Sequence, residues 1–375
     1  MRKHRPVATT RDSYIDTIRA LAIIRVIVYH ALGIGWLTIL FPSMGIMFAL
    51  AGSLMAASMT KSGLLTAKSG LTTVRHRLRR LLPPIWVLAA VAVSVMLMHG
   101  WDADDPTQPT DPKMLFWILP LNAPPSSEWG DSFVGVLWYI VTYLWLVLLT
   151  PLLLPLFRRL PVLMLGVPFL LLFILNRGWV DPGDSFLSPT TDLCTYLACW
   201  MLGFAHHDGM LQRLKWSTTI ALVTVFAAIG GWLTWIGREG SQFDLTADPL
   251  PNAFWSFAFV LLLLKFRPKM AWLSRVPKLN RLIEVLNGRA VTIYLWHNPG
   301  IFFVGLLLTH FGLEAEHVSG PALLVLGTFI WTGLAMLVFG WVEDIAARRR
   351  PSLLPHRGRG RGHGAAGPPL AGTAS

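Results

Sequence analysis

Long apolar runs broken by short polar ones set the pattern of this chain. Runs beginning near Ile15, Pro42, Pro83, Phe133, Leu160, Pro189, Trp216, Pro251, Arg289 and Pro321 are long enough, or nearly so, to cross a hydrocarbon layer of about 30 Å as helices of roughly 20 residues. In lipid each backbone polar group must be satisfied within its own segment, which favours helices. The pattern therefore predicts an all-α fold, a polytopic membrane helical bundle with about ten transmembrane helices. The sixth run, residues 193–205, is short and needs flanking residues to reach across. Nine and eleven are the neighbouring counts.

The connecting segments sort by charge. One set holds the Arg and Lys cluster of the N-terminus, then Lys61, Lys68 and residues 75–80, Arg158 and Arg159, Arg213 and Lys215, the cations within 265–281, and Arg348 to Arg350. The alternate set holds Asp102, Asp104, Asp105, Asp111, Glu128 and Asp131, then Asp181 and Asp184, Asp244 and Asp248, and Glu314 and Glu316. Cytoplasmic loops carry the Lys and Arg excess, so the alternation places both termini in the cytoplasm of a multi-pass plasma-membrane protein. One span miscounted in the middle would destroy it. The chain divides into a basic tail over 1–12, a transmembrane domain over 13–345 and a basic tail over 346–375. After Pro351 that tail is rich in Gly, Pro, Ala and Arg, which predicts disorder, with Arg357, Arg359 and Arg361 placed to touch anionic lipid. The N-terminal cations precede a first span expected to be retained, because they are too many and too polar for a cleaved signal. The loop over 100–132 contains an apolar stretch, 114–121, suited to lying in the membrane interface. It reads equally as a cover for an outward-facing site or as a plain surface loop.

Composition sharpens this picture. The apolar share is 54% and the mean hydropathy is +0.54, so the lipid bilayer is the solvent. A net charge of +12 raises a nucleic-acid reading. The cations sit in short clusters between apolar runs, without an extended basic face, so no nucleic acid is expected as a partner. Cys194 and Cys199, five apart in one run, point to different helix faces and suit neither a disulfide nor a metal site. Three familiar signatures are absent: the Gly-rich phosphate loop, the Gly-x-Ser-x-Gly elbow and the His-Glu-x-x-His zinc pair.

An ionisable group inside a span costs about 2.5–3.5 kcal/mol, so each needs a reason. The first span has Arg19, Arg25 and His30. Arg19 and His30 are eleven residues apart, about three turns and roughly 16 Å along one face. That stripe suits a long, thin ligand with an anionic end at the cytoplasmic boundary and a reactive end within the membrane. The plainer reading has Arg19 snorkelling to the interface and His30 bonding a neighbouring helix. Arg25 lies off the shared face, in keeping with an ion pair or a carbonyl contact. Arg77 and Arg80, three apart just before the third span, form a fork-shaped anion site. Ordinary positive-inside topology is the alternative, and it is preferred for Arg75 and Arg79. His297 and Asn298 sit two turns into the ninth span beside Pro299, where polar groups line a cavity or join helices. Helix packing is the reading for Asn298; both stay open for His297.

These motifs resemble the bacterial membrane acyltransferase-3 family. The run Tyr14-Ile15-Asp16-Thr17-Ile18-Arg19-Ala20-Leu21-Ala22 leading to His30 looks like its opening, an Arg followed after ten residues by His. Phe48-Ala49-Leu50-Ala51-Gly52 resembles its second span, Arg77-Leu78-Arg79-Arg80-Leu81-Leu82-Pro83 its Arg-x-x-Arg motif, and Tyr294-Leu295-Trp296-His297 its late signature. The likeness covers about 14–342. Two departures stand out. Leu137-Trp138 lacks the acidic residues that follow such a pair in many members, and Ala51 stands where Ser is common, so no role is carried over there.

The resemblance implies an acyltransferase acting on an acyl-CoA donor, commonly acetyl-CoA, with no permanently bound cofactor. The implied acceptor is a hydroxyl or amine of an envelope glycan, glycolipid or small secondary metabolite. On that basis His30 is the expected catalytic base, by direct transfer or through transient acylation. Arg19, Arg77 and Arg80 would hold the donor phosphates, with Asp16 orienting Arg19 and Tyr294 and His297 in support. Two other classes stay in play: a transporter or flippase of an envelope precursor, since buried Arg and His also line permeation paths, and a non-catalytic sensor or scaffold.

Overall fold

The computed structural model describes residues 12–61, 67–99, 101, 111–237, 243–313 and 320–355. Outside them lie the N-terminal cations, Asp102, Asp104, Asp105, Glu314, Glu316 and the arginines at 357, 359 and 361, as does the Lys68 side chain. The long helices are α1 (Ser13–Leu32), α2 (Ser43–Lys61), α3 (Ala67–Met98), α4 (Leu137–Arg159), α5 (Pro161–Asn176), α6 (Asp184–His207), α7 (Trp216–Gly237), α8 (Pro249–Lys265), α9 (Pro277–Gly288), α10 (Ala290–His310) and α11 (Gly320–Ala346). No strand occurs among the described residues.

This is an all-α polytopic membrane bundle. Six helical segments are long and apolar enough to span: Trp36–Lys61, Gly70–Met98, Asp131–Arg159, Trp216–Gly237, Ala290–His310 and Gly320–Ala346. Helices α5 and α8 are apolar but shorter. Helices α1 and α6, which carry more polar groups, lie in the interior instead, where those groups meet protein rather than lipid. From Cys194 to Ala205 every residue of α6 is buried, including both free cysteines. Its closest partner is α2. A Cβ on Gly52 would strike the Trp200 carbonyl, and one on Gly203 would strike the Ala49 carbonyl. Glycine at these two positions lets the backbones touch.

Two helix starts differ from the sequence reading. The third helix does not begin at Pro83; it begins at Ala67 and runs through Pro83 and Pro84. The charged segment ahead of the apolar run is helical too, so Arg77 and Arg80 project from the helix itself. The sixth helix is not short, because it gains Asp184 to Thr191 ahead of the apolar core. Those polar residues stand at the acidic end of the bundle, where the helix can continue beyond hydrocarbon.

Capping contacts fix both ends. At the basic end Lys265 Nζ donates to the carbonyls of Leu211, Gln212 and Leu214 at 3.0, 3.1 and 2.7 Å. There Arg158 pairs in a fork with Asp208, its Nε at 2.8 Å and its Nη2 at 2.7 Å. The start of the C-terminal segment is docked: Arg289 Nη2 reaches Asp344 at 2.8 Å and the Ser352 carbonyl at 2.6 Å. At the acidic end Tyr29 donates to Asp244 at 2.7 Å. The 114–121 stretch, partly a 3-10 turn, packs on α3 and α4: Trp86 Nε1 donates to the Ile118 carbonyl at 2.8 Å and Trp145 Nε1 to the Leu121 carbonyl at 2.9 Å. Leu115, Ile118 and Leu119 stay exposed.

Candidate active site

The site is built outward from α1. Asp12 caps this helix by accepting from the Tyr14 and Ile15 amides, and its chain ends at Gly33 in the left-handed region, φ 62°, a conformation that suits glycine. Ala22, Ile23, Val26 and Ile27 line a cavity of about 160 Å³ together with Met44, Met47, Leu81, Tyr139, Tyr143, Tyr294 and His297. Those four α1 residues fill the stretch between Arg19 and His30. The slot they form is an apolar space on the α1 face between Arg19 and His30, and neither of those two residues lines it.

His297, which lines the slot, belongs to a histidine pair. His30 Nδ1 lies 2.9 Å from His297 Nε2, and the rings are 5.0 Å apart. His297 Nδ1 lies 2.6 Å from the Tyr294 carbonyl oxygen. A carbonyl only accepts, so His297 Nδ1 carries the proton. His297 is 0% exposed, and among the described residues no carboxylate hydrogen-bonds it, so a second proton there would be an uncompensated buried charge. Its Nε2 is therefore an acceptor, and His30 Nδ1–H donates to it. That leaves His30 Nε2 with a free lone pair, the form a general base needs. Tyr294 is itself held, donating to the Val136 carbonyl at 2.8 Å, and Asn298 Nδ2 donates to the Ser132 carbonyl at 3.0 Å. Helix α10 is fixed on both sides of His297.

At the basic end the arginines divide by what they touch. Among the described residues the guanidiniums of Arg19 and Arg80 make no hydrogen bond or ion pair. Arg19 lies within electrostatic reach of Asp16, Arg77, Tyr139 and Tyr143. Arg80 lies within reach of Arg77, Arg349, Tyr143 and Glu343. Its chain neighbour Leu81 and the shared neighbour Tyr143 both line the slot. Arg77 is partly committed to packing, since its Nη2 donates to the Leu54 carbonyl at 3.1 Å and to Ser58 Oγ at 3.2 Å. Arg79 buries its Nε without a partner. Arg25 stands apart, donating to the Leu37 carbonyl at 3.3 Å with its guanidinium 4.7 Å from the Tyr29 ring.

Arg19 and Arg80 both lie within electrostatic reach of Arg77, and His30, Tyr294 and His297 form a second group; of these six, Tyr294 and His297 line the slot. Asp16 stays near Arg19, and its carbonyl accepts from Asn287 Nδ2 at 2.8 Å. Sequence reasoning missed Tyr139 and Tyr143, which wall the slot, and Arg349, which lies within electrostatic reach of Arg80. Spacing offered a signal for the tyrosines, which stand four apart on one helix face.

A second opening of about 510 Å³ lies towards the acidic end, lined by Lys113, Trp138, Asp184, Ser188 and Asp192 among others. Trp138 neighbours Tyr139, and its ring is 5.8 Å from Tyr196. The Tyr139 and Tyr294 rings, 4.9 Å apart, both line the slot.

No curated protein and no solved structure matched the chain. A family model described as an acyltransferase domain matches residues 12–341, a span that runs from the cap of α1 into the last turns of α11 and takes in the slot and the histidine pair. The chain belongs to the acyltransferase-3 family.

Proposed function

We propose that this protein transfers an acyl group, acetyl in the first instance, from a coenzyme A thioester to a hydroxyl of an envelope glycan, glycolipid or small metabolite. What supports the reading is the polar stripe of α1, with the unpaired guanidinium of Arg19 towards one end, the His30–His297 pair towards the other, and an apolar slot along the face between them. Coenzyme A is phosphorylated at one end and bears its thioester on a long, thin arm. Arg19 and Arg80, with Arg77, bind the phosphates at the basic mouth, and charge-assisted bonds to guanidinium are the strong ones. The arm enters the slot between Ala22 and Ile27. The basic mouth faces the cytoplasm of the plasma membrane by the positive-inside rule, and the acceptor comes from the acidic side.

In the chemical step the acceptor oxygen attacks the thioester carbonyl while His30 Nε2 takes its proton. Collapse of the tetrahedral intermediate breaks the C–S bond, and the leaving thiolate takes that proton from His30. The proton count closes, and the ester stays with the acceptor. Positioning by α1 and α10 brings the reactants together.

Membranes containing the wild-type protein are expected to move label from acetyl-CoA to an endogenous acceptor, and those with His30→Ala to lack the transfer. Transfer by His30→Ala at the wild-type rate refutes the assignment. Export of an envelope precursor without label transfer by the wild type would favour a transporter instead.

A further inference from the structure

Between Lys265 and Ala290 the chain leaves one bundle helix and enters the next at the basic end. The connection is a 3-10 turn, Ala271–Arg275, followed by α9. Apolar positions Leu279, Leu282, Ile283 and Leu286 recur at three and four residue intervals, one face of a helix. That face is divided. Ile283 is buried in a cluster with Leu273 and Ala20 of α1, and Leu286 packs on it. Leu279 and Leu282 are exposed, as are Trp272 and Val276 ahead of them.

The charges nearby are one-sided. Arg267 pairs with Asp12 and Arg281 with Glu284 at 3.4 Å. Lys269, Arg275 and Lys278, all cationic, make no hydrogen bond or ion pair among the described residues. Both ends of the segment are anchored at the basic end of the bundle, the end that the positive-inside rule sets at the cytoplasmic bilayer surface. Three free cations beside a Trp and two Leu at that level match the interfacial helix that takes anionic headgroups.

We infer that the 3-10 turn and α9 form a docking surface for anionic phospholipid, with Lys269, Arg275 and Lys278 on the phosphates and Trp272, Leu279 and Leu282 in the acyl boundary. At about one cation's worth of surface attraction each, three cations favour anionic over zwitterionic lipid by on the order of a hundredfold at low salt. The surface reaches the site through α1, because Asn287 of α9 donates to the Asp16 carbonyl, one turn before Arg19. It does not depend on the acyl-transfer reading.

The test is hydrogen exchange of residues 271–288 in the full-length protein, in nanodiscs of phosphatidylcholine alone or with phosphatidylglycerol. Phosphatidylglycerol is expected to slow exchange of the α9 amides by about tenfold or more. The effect should be lost at high salt and in the Arg275→Gln, Lys278→Gln double variant, with protection of α2 and α6 unchanged. Equal exchange of the wild type in both lipids overturns the inference whether or not the double variant folds. So does a folded double variant that keeps the full lipid effect. Quenching by brominated phosphatidylglycerol gives a second reading, since Trp272→Phe should remove a quenched component of the emission. No change in quenching there places the turn away from lipid and overturns it too.

Discussion

Replacing His297 by Leu tests the tautomer lock directly. In the wild type His30 Nδ1–H donates to His297 Nε2 at 2.9 Å, and Leu removes that acceptor without opening a large void. A partly buried N–H that loses its partner costs about 1–3 kcal/mol, the lower figure applying if the Val26 carbonyl, one turn back and within reach of the ring, takes up the bond. The His30 ring escapes the cost by moving its proton to Nε2, the nitrogen that must hold a lone pair. At about 1.4 kcal/mol per factor of ten, the competent tautomer becomes roughly 5- to 150-fold rarer. Maximal label transfer from acetyl-CoA should fall by that factor. The KM for acetyl-CoA should change little, because the arginines proposed to hold the donor phosphates make no contact with the histidine pair. His297→Gln should recover much of the loss, since its Oε1 can accept from the same N–H. A merely structural role predicts a lowered melting temperature without this split between kcat and KM. The reasoning is refuted if His297→Leu turns over at the wild-type rate while folded, or if only its KM moves.

Three further outcomes follow from the same contacts. Arg19→Ala and Arg80→Ala should each raise the KM for acetyl-CoA by roughly 10- to 100-fold, the worth of a charge-assisted hydrogen bond. Steady-state kinetics against acetyl-CoA and its dephosphorylated analogue checks this, and equal losses on both donors at the 3′-phosphate would assign the arginines to other phosphates. Asp344→Ala should lower stability by about 3–5 kcal/mol, because it strands Arg289, a guanidinium 0% exposed; thermal unfolding in detergent reads the loss. Gly203→Ala should cost about 1–3 kcal/mol through overpacking, its new methyl meeting the Ala49 carbonyl across the α2 contact, measured by the same unfolding.

The fold class and the α1 stripe were legible because both are local: a hydrophobic run declares a helix, and a spacing of eleven declares a face. The pairing of His30 with His297 was not, because it depends on how α1 and α10 rotate against each other, and no periodicity in either run records that angle. Pro83 and Pro84 concealed the start of α3, since a proline pair at the edge of an apolar run reads as a beginning. Asp184, Ser185, Ser188 and Asp192 concealed the first turns of α6, because a polar average hides a helix that leaves hydrocarbon. Helix α9 was hidden by its mean polarity, although the spacing of Leu279, Leu282, Ile283 and Leu286 carried its signal.

The partners of the buried cations separate structure from function more sharply than the motifs do. Lys265 holds three carbonyls, Arg158 grips Asp208, Arg289 grips Asp344, and Arg25 leans on Tyr29 and the Leu37 carbonyl. Each of these charges is answered within the fold, as an ion near hydrocarbon must be. Arg19, half-buried on an interior helix, has no such answer among the described residues, and Asp16 close by is the nearest anion on its own helix. A cation kept there at a cost of several kcal/mol of desolvation makes sense if an anion from outside the chain completes it. The same reasoning reaches Arg80 with less force, because it is exposed to water at the mouth. Arg19 is therefore the residue whose loss should separate donor binding from folding most cleanly, and its alanine variant should unfold at or above the wild-type temperature while binding acetyl-CoA poorly. An Arg19→Ala protein that melts several degrees lower would show that the guanidinium belongs to the bundle and not to a ligand.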